Sequence, residues 1–143
     1  MKDCSNSIRT QYLSILNGNI TYNDVNVPVY GNDTFQTVPD NYVIIGDITE
    51  NADNNNQQFI SGAEVVIDIF SEQYMTRDNS IVDNIANQIL TLLIPTSGIK
   101  DIGDSDFQIF ATSRSSSRYL AVNDGQNYIA RKVLTISNTI IQK

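Results

Sequence analysis

Two stretches decide the fold: Tyr42-Val43-Ile44-Ile45-Gly46-Asp47-Ile48-Thr49 and Ala63-Glu64-Val65-Val66-Ile67-Asp68-Ile69-Phe70. In the second, Ala63, Val65, Ile67 and Ile69 alternate with Glu64, Val66, Asp68 and Phe70, which is the two-residue period of a strand. The first is bulky and β-branched, as expected of a strand covered on both faces at its centre. Between them lies Glu50–Gln58, with Asn51, Asp53, Asn54, Asn55, Asn56 and Gln57 and almost no apolar side chain. Such a segment buries too little surface to offset its ordering entropy and reads as a mobile loop. The two strands therefore form a long antiparallel hairpin with a polar tip.

On the N-terminal side, Ile8, Tyr12, Ile15 and Leu16 recur at i, i+4, i+7 and i+8, one apolar stripe of a helix. Ser5 or Ser7 is placed to cap it, and Gly18 suits the left-handed position beyond its end. Val25, Val27 and Val29 alternate as a strand that Pro28 keeps short or at an edge. Gly31–Asp40 is turn-rich. On the C-terminal side, Ile81, Val82, Ile85, Ile89, Leu92 and Leu93 share one face of a helix from Ser80 to Leu93. Asp78, Asn79 or Ser80 can cap it, and Pro95 ends it. Strands follow at Phe107-Ile109-Ala111, Tyr119–Val122 and Tyr128–Ile136, with Asn123-Asp124-Gly125 as the turn of a hairpin. The expected order is α-β-β-β-α-β-β-β. The fold class is α+β, a largely antiparallel sheet with an N-terminal helix and one main amphipathic helix on one face.

The chain has 143 residues, enough for one domain that buries about 70% of its unfolded surface. Its net charge is −7, which disfavours nucleic-acid binding, because that affinity comes from Lys and Arg neutralising phosphates. An acidic wall still suits a passage through which DNA slides. The single cysteine, Cys4, cannot form an intrachain disulfide and lies where chains often fray. Met1–Thr10 is polar, unlike a secretory signal, and no run approaches the roughly 20 apolar residues of a membrane span. The sequons at Asn19 and Asn32 are then chance matches.

Chemistry is sparse. With no histidine, Ser-His-Asp and Cys-His mechanisms and histidine metal sites are excluded, and one cysteine cannot build a thiolate zinc site. No glycine-rich nucleotide motif occurs. The weak metal candidate is Asp101, Asp104 and Asp106 around Gly103, whose spacing does not match an EF-hand; a solvated turn is the simpler reading. Glu64 and Asp68 share a strand face and are read as solvent-facing. Arg114 and Arg118 flank Ser115-Ser116-Ser117 in what reads as a basic, serine-rich loop. It can bind phosphate, pair with acidic groups of a neighbouring subunit, or simply be exposed.

The middle of the chain resembles the phage tail-terminator or tail-completion family. The resemblance rests on Val29-Tyr30, a turn-rich spacer, Val38-Pro39-Asp40, then Tyr42-Val43-Ile44-Ile45-Gly46-Asp47-Ile48 and, after the polar loop, the aromatic-serine pair Phe70-Ser71. With the preceding helix, the amphipathic helix and the terminal strands, it extends from about Ile8 to Ile136. It departs from the family in two places: Asp40 and Asn41 separate Pro39 from Tyr42, and there is no tryptophan. The resemblance implies a homo-oligomeric ring, six or twelve copies by family analogy, at the head–tail junction of a virion. Such a ring is assembled in the host cytoplasm, contacts portal or adaptor and tail proteins, lets DNA through its lumen, and has no catalytic residues and no cofactor. Asn51, Asp53, Asn54, Asn55, Asn56, Arg114 and Arg118 are the expected interface residues. The alternatives are another neck component, an adaptor or collar ring of a short-tailed phage, and a monomeric binding module using the Asn-rich loop or acidic turn. Calorimetry at millimolar Ca²⁺ is expected to give no binding heat; a saturable heat would make Asp101, Asp104 and Asp106 a metal site.

Overall fold

The computed structural model describes residues 3–31, 39–54, 59–94, 102–103 and 105–143. Helix α1 spans Ser5–Leu16 and α2 spans Ser80–Leu93. Three short strands follow α1: β1 (Thr21–Tyr22), β2 (Val25–Asn26) and β3 (Val29–Tyr30). The long hairpin is β4 (Asn41–Asn54) and β5 (Phe59–Tyr74). After α2 come β6 (Ile102–Gly103), β7 (Phe107–Asp124) and β8 (Asn127–Gln142). Strands β1 and β2 form a separate two-stranded sheet, and the main sheet has the order β3-β4-β5-β8-β7-β6. All its pairs are antiparallel except β3 with β4. This is the expected α+β class, with both helices on one face.

The apolar periods place the core. Ile8, Tyr12 and Leu16 of α1 and Val82, Ile85, Ala86, Ile89 and Leu93 of α2 are buried. They pack on Val43, Ile45, Val65, Ile67, Ile69, Ala130, Leu134 and Ile136 of the sheet. The ladder between β5 and β8 runs unbroken from Tyr74 opposite Asn127 to Ile60 opposite Ile141. At about 3.4 Å per residue it is about 50 Å long, whereas α2 at 1.5 Å per residue is about 21 Å. The helices therefore cover only part of the sheet, and its margins overhang.

Several expectations are corrected. The polar stretch after Thr49 does not leave the sheet at Glu50: β4 continues to Asn54, which pairs with Phe59. Ladder hydrogen bonds are indifferent to side-chain polarity, and β8 supports β5 as far as Ile60. The Val25–Val29 strand is split, because Pro28 interrupts it and Asn23 and Asp24, both at positive φ, turn the chain between β1 and β2. Ser115-Ser116-Ser117 is no loop but the middle of β7, which joins the two strands expected at 107–111 and 119–122. The last hairpin turns at Gly125-Gln126, one residue later than expected.

Helix α1 is not capped by Ser5 or Ser7, whereas α2 has Asn79, one of its three expected residues, at the cap position. At α1, Cys4 occupies the cap position and Asp3 accepts the Ser5 N–H at 2.8 Å. At α2, Asp78 accepts the Ser80 N–H at 2.9 Å, while the cap residue Asn79 accepts the Tyr128 hydroxyl at 2.7 Å. Cys4 is fully buried rather than frayed. Gly18 does take the left-handed conformation beyond α1, at φ 85°. Pro95 and most of the turn-rich 31–40 segment lie outside the described residues.

Two polar fixtures hold the layers in register. Between Ile45 and Ile48, β4 bulges, so that Gly46 and Asp47 oppose β5 without displacing Ile45 and Ile48 from the core side. Arg9 of α1 donates to the carbonyls of Ile45 at 2.6 Å and Gly46 at 2.9 Å, and also to that of Gly31. One guanidinium thus ties the helix to the bulge and to the chain beyond β3. Deeper, Asn138 is buried on the core face of β8. Its amide donates to the Ala63 and Ile136 carbonyls, and its oxygen accepts from Tyr12 at 2.6 Å and Thr112 at 3.2 Å. Arg9→Ala should cost about 2–3 kcal/mol and Tyr12→Phe about 1 kcal/mol, read as shifts in the denaturant midpoint. An Arg9→Ala midpoint equal to wild type would show the bulge to be held otherwise.

Candidate assembly surface

The face of the sheet away from the helices has no layer over it among the described residues. Register identifies what it presents. Phe70 lies opposite Tyr42 and Arg131, and Asp68 opposite Ile44 and Val133. The Phe70 and Tyr42 rings stack at 4.9 Å, with Tyr30 edge-on to Tyr42 at 6.5 Å. Arg131 lies over Phe70 at 5.3 Å and pairs with Asp68 at 3.0 Å. Asp68 therefore does face away from the helices, but it is held by an arginine rather than free in solvent. Glu64 is exposed and receives only a long hydroxyl contact from Ser137. An open groove of about 530 Å³ runs along this face, bordered by Arg9, Asp47, Asp68, Arg118, Arg131 and Val133. Its arginines and carboxylates are interleaved, so it presents no concentrated charge of either sign to a small anion or a metal.

Strand β7 is open along most of its length. Every side chain described from Ser113 to Asn123 is exposed, including Tyr119, Leu120 and Val122, the last at 57%. Apart from Tyr119, whose hydroxyl reaches Asp83 of α2, the side chains of this stretch are open on both faces. A bulge between Arg114 and Ser116 sets the direction of its charges. Four residues apart in a regular strand, Arg114 and Arg118 would share a face. The extra residue changes the parity: Arg114 is opposite the core residue Ile136, and Arg118 opposite Val133 on the helix-free side. Sequence reasoning singled out both arginines and missed that they point to opposite sides.

The other expected interface residues divide. Asn51 is exposed in β4; Asp53 and Asn54 are in the same strand; Asn55 and Asn56 lie outside the described residues. The structure thus does not gather them with Arg114 and Arg118: β4 and β7 are separated by β5 and β8. Asp101 and Asp104 also lie outside the described residues, whereas Asp106 is exposed and its carbonyl accepts the Lys143 N–H at 2.8 Å. Among the described residues, no group of His, Cys, Asp and Glu is placed to hold a metal ion. No described helix is long and apolar enough to cross a membrane.

Where β7 does meet the body, it does so through charge. Lys132 on the helix side of β8 pairs with Asp83 of α2 at 2.7 Å and sits over the Tyr119 ring at 4.7 Å. The Tyr119 hydroxyl also donates to Asp83. The Lys132 bond, then the Tyr119 bond, holds the Asp83 pKa below the ordinary aspartate value. Burial works against the charged form of Lys132, but the bonds to Asp83 and Tyr119 outweigh it and raise its pKa. Cys4 is affected oppositely: burial, reinforced by Glu50, pushes its thiol up to about 12.

A depressed Asp83 pKa stabilises the fold above its unfolded value, about 3.9, and that contribution is lost as pH falls through the folded value. The Asp83 side chain is 40% exposed, so the effect is in the surface-pair range of about 0.2–1 kcal/mol. Asp83→Asn should thus be slightly less stable than wild type at pH 7, with the gap closing as pH falls through the folded Asp83 value. A gap in denaturation curves that does not narrow as the pH is lowered would show that the pair contributes through packing alone.

No family model matches the chain, and no curated protein matches it in sequence. In structure it is similar to a chain of the virion of a native gene transfer agent particle, with a TM-score of 0.64 over 95% of this chain and 92% of that one, at 9% sequence identity. The two share a fold across nearly their whole lengths.

Proposed function

We propose that the chain is a structural, non-catalytic subunit of a phage or phage-like virion, and specifically a ring-forming tail-terminator or tail-completion protein at the head–tail junction. The observation that carries this reading is the fold held in common, almost end to end, with a chain of a gene transfer agent virion. The resemblance carried by Val38-Pro39, Tyr42–Ile48 and Phe70-Ser71 supports the finer placement at the neck.

Physical features agree with that role. The open sheet face and the exposed β7 leave large surfaces for neighbours. A closed ring uses head-to-tail contacts between two different patches of one chain, and β4 and β7 provide two such margins. Asn51, Asp53, Asn54, Asn55, Asn56, Arg114 and Arg118 are the residues assigned to those contacts. The net charge of −7 would let DNA pass the lumen without being held. Portal or adaptor protein on one side and tail protein on the other are the partners.

The test is native mass spectrometry with electron microscopy, on the protein alone and mixed with the portal and tail-tube proteins of the same particle. Closed rings, free or seated on a partner, are expected. A strictly monomeric protein that joins neither partner would overturn the reading.

A further inference from the structure

Resting on the ring reading, we infer that neighbouring copies join by strand addition: the free edge of β7 in one copy pairs antiparallel with the free edge of β4 in the next. Each edge has a bare stretch. Among the described residues, β7 is paired on its outer side only at Gln108 and Ile109, by β6, and the exposed run Ser113–Asn123 lies beyond. On its outer side β4 is paired only at Val43 and Ile44, by β3, which leaves Asp47–Asn54. At about 3.4 Å per residue the two stretches are about 37 and 27 Å long, each enough for a multi-residue ladder.

Charge selects the occupant. The β7 stretch carries Arg114 and Arg118 and no carboxylate before Asp124, while the β4 stretch carries Asp47, Glu50 and Asp53 and no cation. A two-fold pairing of β7 with itself would bring arginines together, and like charges across a ladder are unfavourable. A second copy offering β4 brings opposite charges instead. The faces also agree. Arg114 is on the helix side, as is Glu50, which lies opposite the core residue Ala63. Arg118 and Asp47 border the same helix-free groove within each copy. A sheet that continues from copy to copy with all helices on one side therefore brings the cationic stretch of β7 alongside the acidic stretch of β4. It also shelters Leu120 and Val122, which one copy alone leaves exposed.

The positions of β3 and β6 add a geometric consequence. Strand β6 blocks the end of β7 next to the β4–β5 hairpin tip, and β3 blocks the opposite end of β4. The bare stretches thus lie at different heights. Arg118 is level with Ile44 through Val133 and Asp68, so bringing it opposite Asn51 shifts the next copy by about six residues, or about 20 Å. A fixed stagger with tilted strands is what lets a sheet close on itself.

The experiment uses full-length chain under the conditions in which the unsubstituted protein assembles, with tail-tube protein present. Ser116→Cys is combined in turn with Thr49→Cys, Asn51→Cys and Asp53→Cys, and each pair is oxidised; buried Cys4 does not compete. At least one pair should give a ladder of covalent multimers, because opposed strand residues meet the roughly 4.4–6.8 Å Cα spacing of a disulfide, and the single variants should not. Arg114→Glu with Arg118→Glu should lower the assembled fraction at least tenfold with an unchanged melting curve. Adding Asp47→Lys and Asp53→Lys should restore it. Rings seen by microscopy without cross-linking in any of the three pairs would overturn the strand-addition seam and leave the ring reading standing. If the unsubstituted chain fails to assemble even with its partners, the ring reading itself falls, and the seam with it.

Discussion

The unbroken ladder between β5 and β8 is the constraint on which the rest of the molecule depends. It has no bulge, although its flanking partners β4 and β7 have one and two. The core strands therefore keep strict alternation, and every irregularity is moved to the margins. Alternation along β5 and β8 in turn gives the helices a continuous apolar floor: Val65, Ile67 and Ile69 beside Ala130, Leu134 and Ile136. A one-residue slip in this ladder would send that whole set to the bare face. Asn138 resists such a slip, since its buried amide is satisfied only when Tyr12, Thr112 and the Ala63 carbonyl arrive together.

How much of this was legible in the sequence depends on where the information lies. Helix α2 was readable to the residue, because Val82, Ile85, Ile89 and Leu93 repeat at helical spacing between Asp78 and Pro95. The centre of the hairpin was readable from Ala63 to Phe70 for the same kind of reason. The strand ends were not. Asn51 to Asn54 and Ser113 to Ser117 carry no hydropathy signal, and what keeps them extended is pairing with residues far along the chain, such as Ser137 with Ser113. Polar residues in a ladder satisfy the same backbone bonds as apolar ones, so composition alone cannot separate them from a loop.

The candidate surface shows the same limit. Arg114 and Arg118 were visible as cations in an acidic chain, yet their opposite directions come from a bulge that only the register with Ile136 and Thr135 reveals. Arg9 gave no signal at all. It is one arginine on the polar side of a short helix, and its role exists only because β4 releases two carbonyls at Ile45 and Gly46. Cys4 was misjudged through its position: nearness to a terminus says nothing about burial once α1 lies flat on the sheet. The shared fold with a virion chain at 9% identity agrees with this division, since packing geometry persists where individual residues do not.

The length of the β5–β8 ladder also has a mechanical side. Antiparallel hydrogen bonds lie across the strands. A pull along the strands therefore loads the whole row in shear, and no bond can open before its neighbours share the strain. Force across the strands would instead unzip the row from one end. In this chain the direction of greatest stiffness is the long axis of β5 and β8.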